Sequence, residues 1–271
     1  MIYIDTRDQL SLKHGVMEFL NVTEEELELV FETIDSVDED PYDWVKKYLE
    51  DYGIDSPLEY IQMFHLTRRL NGTDLRTNNN LERLLLCKTP LSDFFKRYDV
   101  TFKKHNDHME LYYKGALQTL DDEFYAGPGN MAYIKSRLGY FDTQDYCVNG
   151  FAFRSHLEMQ SYYRSLSWSP EFVDNIGRFF EIKNMVSDYS NNSRYYCIEY
   201  LIPLSEVIFD LANPPESEIE KTIIFLINAI VRSYKDWKHA SFVCDENLIL
   251  RLDDSTDIKR DWFVNAEEID L

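Results

Sequence analysis

Phe64-His65-Leu66-Thr67-Arg68-Arg69 and, far downstream, Tyr196-Cys197-Ile198-Glu199-Tyr200-Leu201-Ile202-Pro203-Leu204 decide how this chain is read. The second segment is an apolar run with an aromatic start and a proline near its end, the pattern of a buried strand. In the first, the two-residue period of a strand sends His65 and Thr67 to the same face. A histidine donor and a threonine hydroxyl side by side can hold a planar amide and a sugar hydroxyl. Arg68 and Arg69 follow at once, and guanidinium suits a pyrophosphate better than an ammonium does. A structural reading stands beside this one, in which His65 is satisfied inside a core. Glu199 is equally open, since Cys197 and Tyr200 flank it in alternation and could leave it at a strand edge facing solvent.

Outward from these segments, helical and strand patterns are interleaved. Residues 16–34 read as a helix, with Leu27, Val30, Phe31 and Ile34 on one face and a capping box of Asn21 or Thr23 with Glu26. Asp40-Pro41 opens a second helix and Ser56-Pro57 a third, running to about Met63. The acidic residues between Glu24 and Asp51 keep apolar periodicity among them, so they read as the solvated face of a helical cap. A short helix is expected over 81–87, Phe94 through Phe102 lead into a strand, and another strand is expected over 109–113, with a polar turn between. Ala126-Gly127-Pro128-Gly129-Asn130 is the clearest loop. A helix over 131–138 and strands over 150–154 and 195–203 follow. Asn213-Pro214-Pro215-Glu216-Ser217 then caps a long, largely apolar helix over 218–237, and a strand over 247–252 ends the pattern. The expected class is mixed α+β.

The chain has 271 residues, 44% of them hydrophobic, enough for a real core. Its 17 Phe, 19 Tyr and 4 Trp supply large apolar areas and rings able to stack on a ligand. Acidic residues outnumber basic ones 49 to 28, for a net charge of -21. That field repels phosphate backbones and anionic membranes and favours basic partners. Cys87, Cys147, Cys197 and Cys244 are scattered among apolar or aromatic neighbours, the pattern of buried free thiols in a reducing compartment. The amino terminus has no signal-peptide pattern and no apolar run is long enough to span a bilayer, so a cytoplasmic protein is expected.

Several chemistries fail on sequence. No Walker loop, Rossmann glycine fingerprint or G-x-S-x-G elbow is present. Pro128 removes an amide donor from the one glycine-rich loop, which reads as a plain turn. His105, Asp107 and His108 lack partners at metal-ligand spacing and read as a hairpin tip, so no metal site is expected. Asp35, Asp38, Asp40 and Asp43 lack the glycine and terminal glutamate of a calcium loop.

Phe64-His65-Leu66-Thr67 followed by Asn80-Leu81-Glu82-Arg83-Leu84-Leu85 resembles the opening of ADP-ribosyltransferases with a His-x-Thr element, the DarT-like branch being nearest. Ile198-Glu199-Tyr200-Leu201-Ile202-Pro203 similarly resembles their Glu-led strand, and Phe153-Arg154 is a weaker match to the middle strand. The likeness spans about residues 60–210. The loop after Thr67 is long, no Gln-x-Glu or Glu-x-Glu precedes the late strand, and Glu206 rivals Glu199 as the acid. The resemblance implies an NAD-dependent mono-ADP-ribosyltransferase, a bacterial or phage glycosyltransferase, built on a split mixed or antiparallel sheet. Residues 1–59 would form the acidic helical cap, 60–212 the NAD-binding core, and 213–271 a helix and strand packed on it. His65 and Thr67 would bind the nicotinamide riboside, and Glu199 would stabilise the ribose cation. Arg68, Arg154 and Tyr163 complete the implied NAD site, with Tyr146, Tyr162 and Tyr196 as alternative stacking rings. The acceptor would be a macromolecule, a protein rather than duplex DNA because of the charge. The rival expectation is a non-catalytic acidic protein of immunity or inhibitor type that binds a basic partner.

Overall fold

In the computed structural model, residues 1–120, 131–141, 144–239 and 247–270 are described. The loop at 126–130 and Cys244 lie outside them. The order of elements is α1 (Gln9–Leu20), α2 (Glu24–Ser36), α3 (Pro41–Tyr52), β1 (Tyr60–Leu70), α4 (Leu81–Leu86), α5 (Pro90–Lys96), β2 (Val100–His105), β3 (His108–Tyr113) and β4 (Ala116–Leu117). There follow α6 (Met131–Arg137), β5 (Asn149–Phe151), α7 (Ser161–Ser165), α8 (Glu171–Phe179), α9 (Met185–Asn191), β6 (Ser193–Pro203), β7 (Ile208–Phe209), α10 (Glu218–Trp237), β8 (Ile249–Arg251) and β9 (Phe263–Glu268). Six strands form one antiparallel sheet in the order β7-β8-β5-β1-β6-β9, and β2-β3-β4 form a second. The class is mixed α+β.

Local chemistry sets most of the boundaries. The helix expected over 16–34 is two helices, because Asn21 takes a left-handed conformation (φ 49°) that ends α1. Thr23 and Glu26 then form a reciprocal capping box that starts α2. Asp40 caps α3 ahead of Pro41, Asn80 caps α4, and Ser217 with Glu220 caps α10. The third expected helix does not form. Strand β1 starts at Tyr60, and Ile61, Met63, Phe64 and Leu66 bury side chains on both of its faces. A strand buried on both sides shows an unbroken apolar run, which hides its period. Strands β5 and β8 are also shorter than the runs expected over 150–154 and 247–252.

The chain divides into two compact units, each assembled from three separate stretches. The first comprises 1–64, 150–161 and 199–251. Here α10 packs against α1 and α3, with Phe225 stacked on Phe153 (ring centroids 5.4 Å apart) and the Tyr234 hydroxyl donating to Asp35. Gly150 has a specific task in this unit. A Cβ there would lie 2.7 Å from Met63 Cγ and 2.8 Å from the Phe64 carbonyl oxygen, so only glycine lets the two backbones approach.

The second unit comprises 65–149, 162–198 and 252–271, of which the described residues are considered. Its core gathers Phe94, Phe95, Phe102, Phe172 and Tyr189 in mostly edge-on ring contacts, and α8 packs on α6 and α9. Strands β1 and β6 each give one half to either unit. Cys147 and Cys197 are buried, whereas Cys87 is exposed, contrary to its apolar neighbours in sequence. Among the described residues no helix is long and apolar enough to cross a membrane.

Candidate functional site

Register fixes which side chains share a face. The Leu204 amide donates to the Glu59 carbonyl (2.9 Å), and the Asn71 amide donates to the Asn192 carbonyl (2.8 Å). These bonds close the two ends of the antiparallel β1/β6 pair, setting Phe64 across from Glu199 and Thr67 across from Tyr196. Gln62 and His65 stand three residues apart on β1, so the pleat turns them to opposite faces.

In the first unit the structure gathers a polar network around Glu199. The carboxylate is buried (6% exposed) and accepts a hydrogen bond from Gln62 Nε2 at 2.8 Å. Gln62 Oε1 in turn accepts from the Thr6 amide (2.5 Å) and the Thr6 hydroxyl (3.1 Å). That hydroxyl also lies 2.6 Å from the Ala152 carbonyl, to which it can donate. Burial raises the Glu199 pKa above its ordinary value, while the charge of Arg7 and the Gln62 amide pull it back. Arg7 itself is tied to Asp5, with Nε 3.0 Å from Oδ1. The solvent-facing alternative for Glu199 is therefore excluded. Arg154 is half-buried and its amide donates to the Thr6 carbonyl (3.0 Å). Glu206 is half-buried in the short helical turn after β6.

In the second unit His65, Thr67 and Arg69 share the other face of β1. His65 Nδ1 lies 2.6 Å from the Asn149 carbonyl, and Nε2 lies 3.0 Å from the Asn78 amide nitrogen. A carbonyl only accepts, so Nδ1 carries the proton and Nε2 accepts from Asn78. The imidazole is thus neutral. Burial and the positive charge of Arg69 push its pKa down to about 3, against the opposing effect of the Asn149 bond. Thr67 and Tyr196 are half-buried.

Arg68 points the other way and is committed to structure. Its Nε donates to Ser193 Oγ (2.8 Å), Nη1 to the Ser167 carbonyl, and Nη2 to the carbonyls of Ser190 (2.9 Å) and Ser193 (3.1 Å). This clamp holds the turn from α9 into β6. Among the aromatic candidates, Tyr146 is buried and donates to the Leu138 carbonyl (3.0 Å). Tyr163 is half-buried and meets the Tyr195 ring edge-on at 5.9 Å, while Tyr162 is exposed.

Gln62, Thr6, Arg7, Asn78 and Asn149 were not singled out from sequence. Gln62 alone carried a signal, as a polar residue inside the apolar run Ile61-Gln62-Met63-Phe64. The chemistry available is a buried carboxylate oriented by an amide and, separately, a neutral imidazole in a row with a hydroxyl and a guanidinium. With the class of fold and these two clusters defined, comparison with known proteins adds no relative: no family model, curated protein or solved structure matches the chain.

Proposed function

We propose that this protein is an NAD-dependent mono-ADP-ribosyltransferase acting on a macromolecular acceptor. The observation that supports the reading best is Glu199, a strand carboxylate withdrawn from solvent and oriented through one oxygen by Gln62. Cleavage of the nicotinamide–ribose bond sends the electron pair out with nicotinamide and leaves positive charge on the ribose. A fixed carboxylate in a medium of low dielectric stabilises that charge far better than one in water. The acceptor's nucleophile then bonds to the ribose carbon and gives up its proton.

In this reading the ribose end of NAD is held against Glu199, Arg154 of the same unit contributes to binding, and the enzyme works in a reducing cytoplasm. His65, Thr67 and Tyr163 belong to the other unit, and both ring nitrogens of His65 are already bonded to Asn149 and Asn78, so these three are left out of this site. The net charge of -21 favours a protein acceptor over duplex DNA. The same charge favours the second reading, an acidic protein that sequesters a basic partner without chemistry.

Calorimetric titration with NAD, alongside Glu199→Gln and His65→Ala, separates the two. The transferase is expected to bind NAD saturably and release nicotinamide. His65→Ala, on the other face of β1, should leave NAD affinity unchanged. Glu199→Gln should bind but cut nicotinamide release by about a hundredfold or more, as removal of an electrostatic stabiliser does. No binding at millimolar NAD overturns the enzyme reading and leaves the acidic interaction protein.

A further inference from the structure

We infer that Arg69, not its neighbour Arg68, is the binding point for a phosphate-class anion, gripped side-on by Nε–H and Nη2–H. The two arginines are adjacent in sequence and opposite in employment. Every nitrogen of Arg68 donates to Ser167, Ser190 or Ser193. Arg69 is buried (8% exposed), and neither Nε nor Nη2 has a hydrogen-bond partner among the described residues.

A guanidinium taken out of water without a counter-charge is unfavourable, and a core that keeps one commonly reserves its donors for something. The two unused nitrogens define the side of the guanidinium that makes paired, parallel bonds to two oxygens of a phosphate or carboxylate. Phosphate is favoured over carboxylate by the surroundings. The β1/β6 register sets Arg194, exposed and already ion-paired with Glu268, across from Arg69, and the half-buried residues Thr67 and Tyr196, each with a hydroxyl, stand two residues along on the same face. The fork of Arg69 with two neutral hydroxyl donors beside it suits an anion with more than two oxygens. His65, at the far end of the row, is neutral through its own bonds and leaves the positive charge to Arg69.

The inference does not rest on the transferase reading, because it requires only an anion and no reaction. Inorganic pyrophosphate and the diphosphate of a nucleotide share the chemistry, and the test uses both. The whole chain is titrated calorimetrically with inorganic pyrophosphate and, in parallel, with ADP. Wild type is expected to bind pyrophosphate saturably. Arg69→Met should abolish the binding, and Arg69→Lys, which keeps the charge without the fork, should weaken it by about tenfold or more. ADP binding at or above pyrophosphate affinity identifies the nucleotide as the source, whereas pyrophosphate alone identifies a free anion.

Absence of pyrophosphate binding in wild type, or equal affinity in Arg69→Met, overturns the proposal. Should Arg69→Met fail to fold, Arg69→Lys decides by the same criterion. Pyrophosphate binding without NAD binding leaves the anion site standing and removes the transferase. NAD turnover without pyrophosphate binding does the reverse.

Discussion

His65 makes the fold sensitive to acid through a single ring. Free imidazole titrates near 6.5, and in the fold this one titrates at about 3. Between those values the unfolded chain takes a proton that the folded chain refuses. The stability conferred by a neutral His65 is therefore whole above the unfolded value and is lost as pH falls through the window. The slope reaches about 1.4 kcal/mol per pH unit, one proton's worth. His65→Gln keeps polar groups at the site but cannot titrate. We expect wild type to lose its stability advantage over His65→Gln between about pH 7.5 and pH 5, measured by urea unfolding. A constant difference across that range contradicts the assignment. Glu199 runs the opposite way, because its raised pKa favours the fold in acid and less so as pH rises through it; in the difference between the two proteins it cancels.

At this scale the sequence allowed the strand position of His65 and Thr67 to be read, because alternation is local. It hid the partners Asn78 and Asn149, which are distant or placed by loops. It also hid the division of labour between Arg68 and Arg69. Adjacent residues of one strand face opposite environments, and only the tertiary surroundings say which is occupied.

At the scale of elements, helices were the legible part and buried strands the obscure one. The start of α10 was visible because Ser217 and Glu220 carry the capping signature themselves. Ser217→Ala removes the acceptor for the Glu220 amide and should cost about 1 kcal/mol, read as a lower denaturant midpoint with unchanged slope. A change within error would mean that packing of the buried face against α1 and α3 alone sets this helix boundary. Strand β1 escaped notice at its first residues for the reason given above, and Ser56-Pro57, which resembles a helix start, lies in the loop before it. Strand β9, Phe-Val-Asn-Ala-Glu-Glu, is largely exposed and carries no apolar alternation that could announce it.

At the scale of the molecule, composition was informative about field and silent about assembly. A net charge of -21 on 271 residues repels itself, and salt shortens the reach of that repulsion. Raising sodium chloride from about 0.05 to about 0.5 M should lift Tm by a few degrees, followed by scanning calorimetry. A flat or falling Tm would show that the surface pairs, such as Arg83 with Asp257 and Arg194 with Glu268, outweigh the excess negative charge. The partition into two units could not have been seen from composition, since no linker marks it. The boundaries fall inside β1 and β6, in mid-strand.

That interleaving bears on how the chain is made. On the ribosome the first 64 residues emerge with their acidic helices, but the unit they belong to lacks 150–161 and 199–251 until residue 251 has been added. The other unit waits for segments beyond 252. Neither can finish early and shelter its apolar surface while the rest is translated, so nearly the whole chain must be out before either core closes. During that interval the high negative charge has a use unconnected with any partner: it keeps unfinished chains apart.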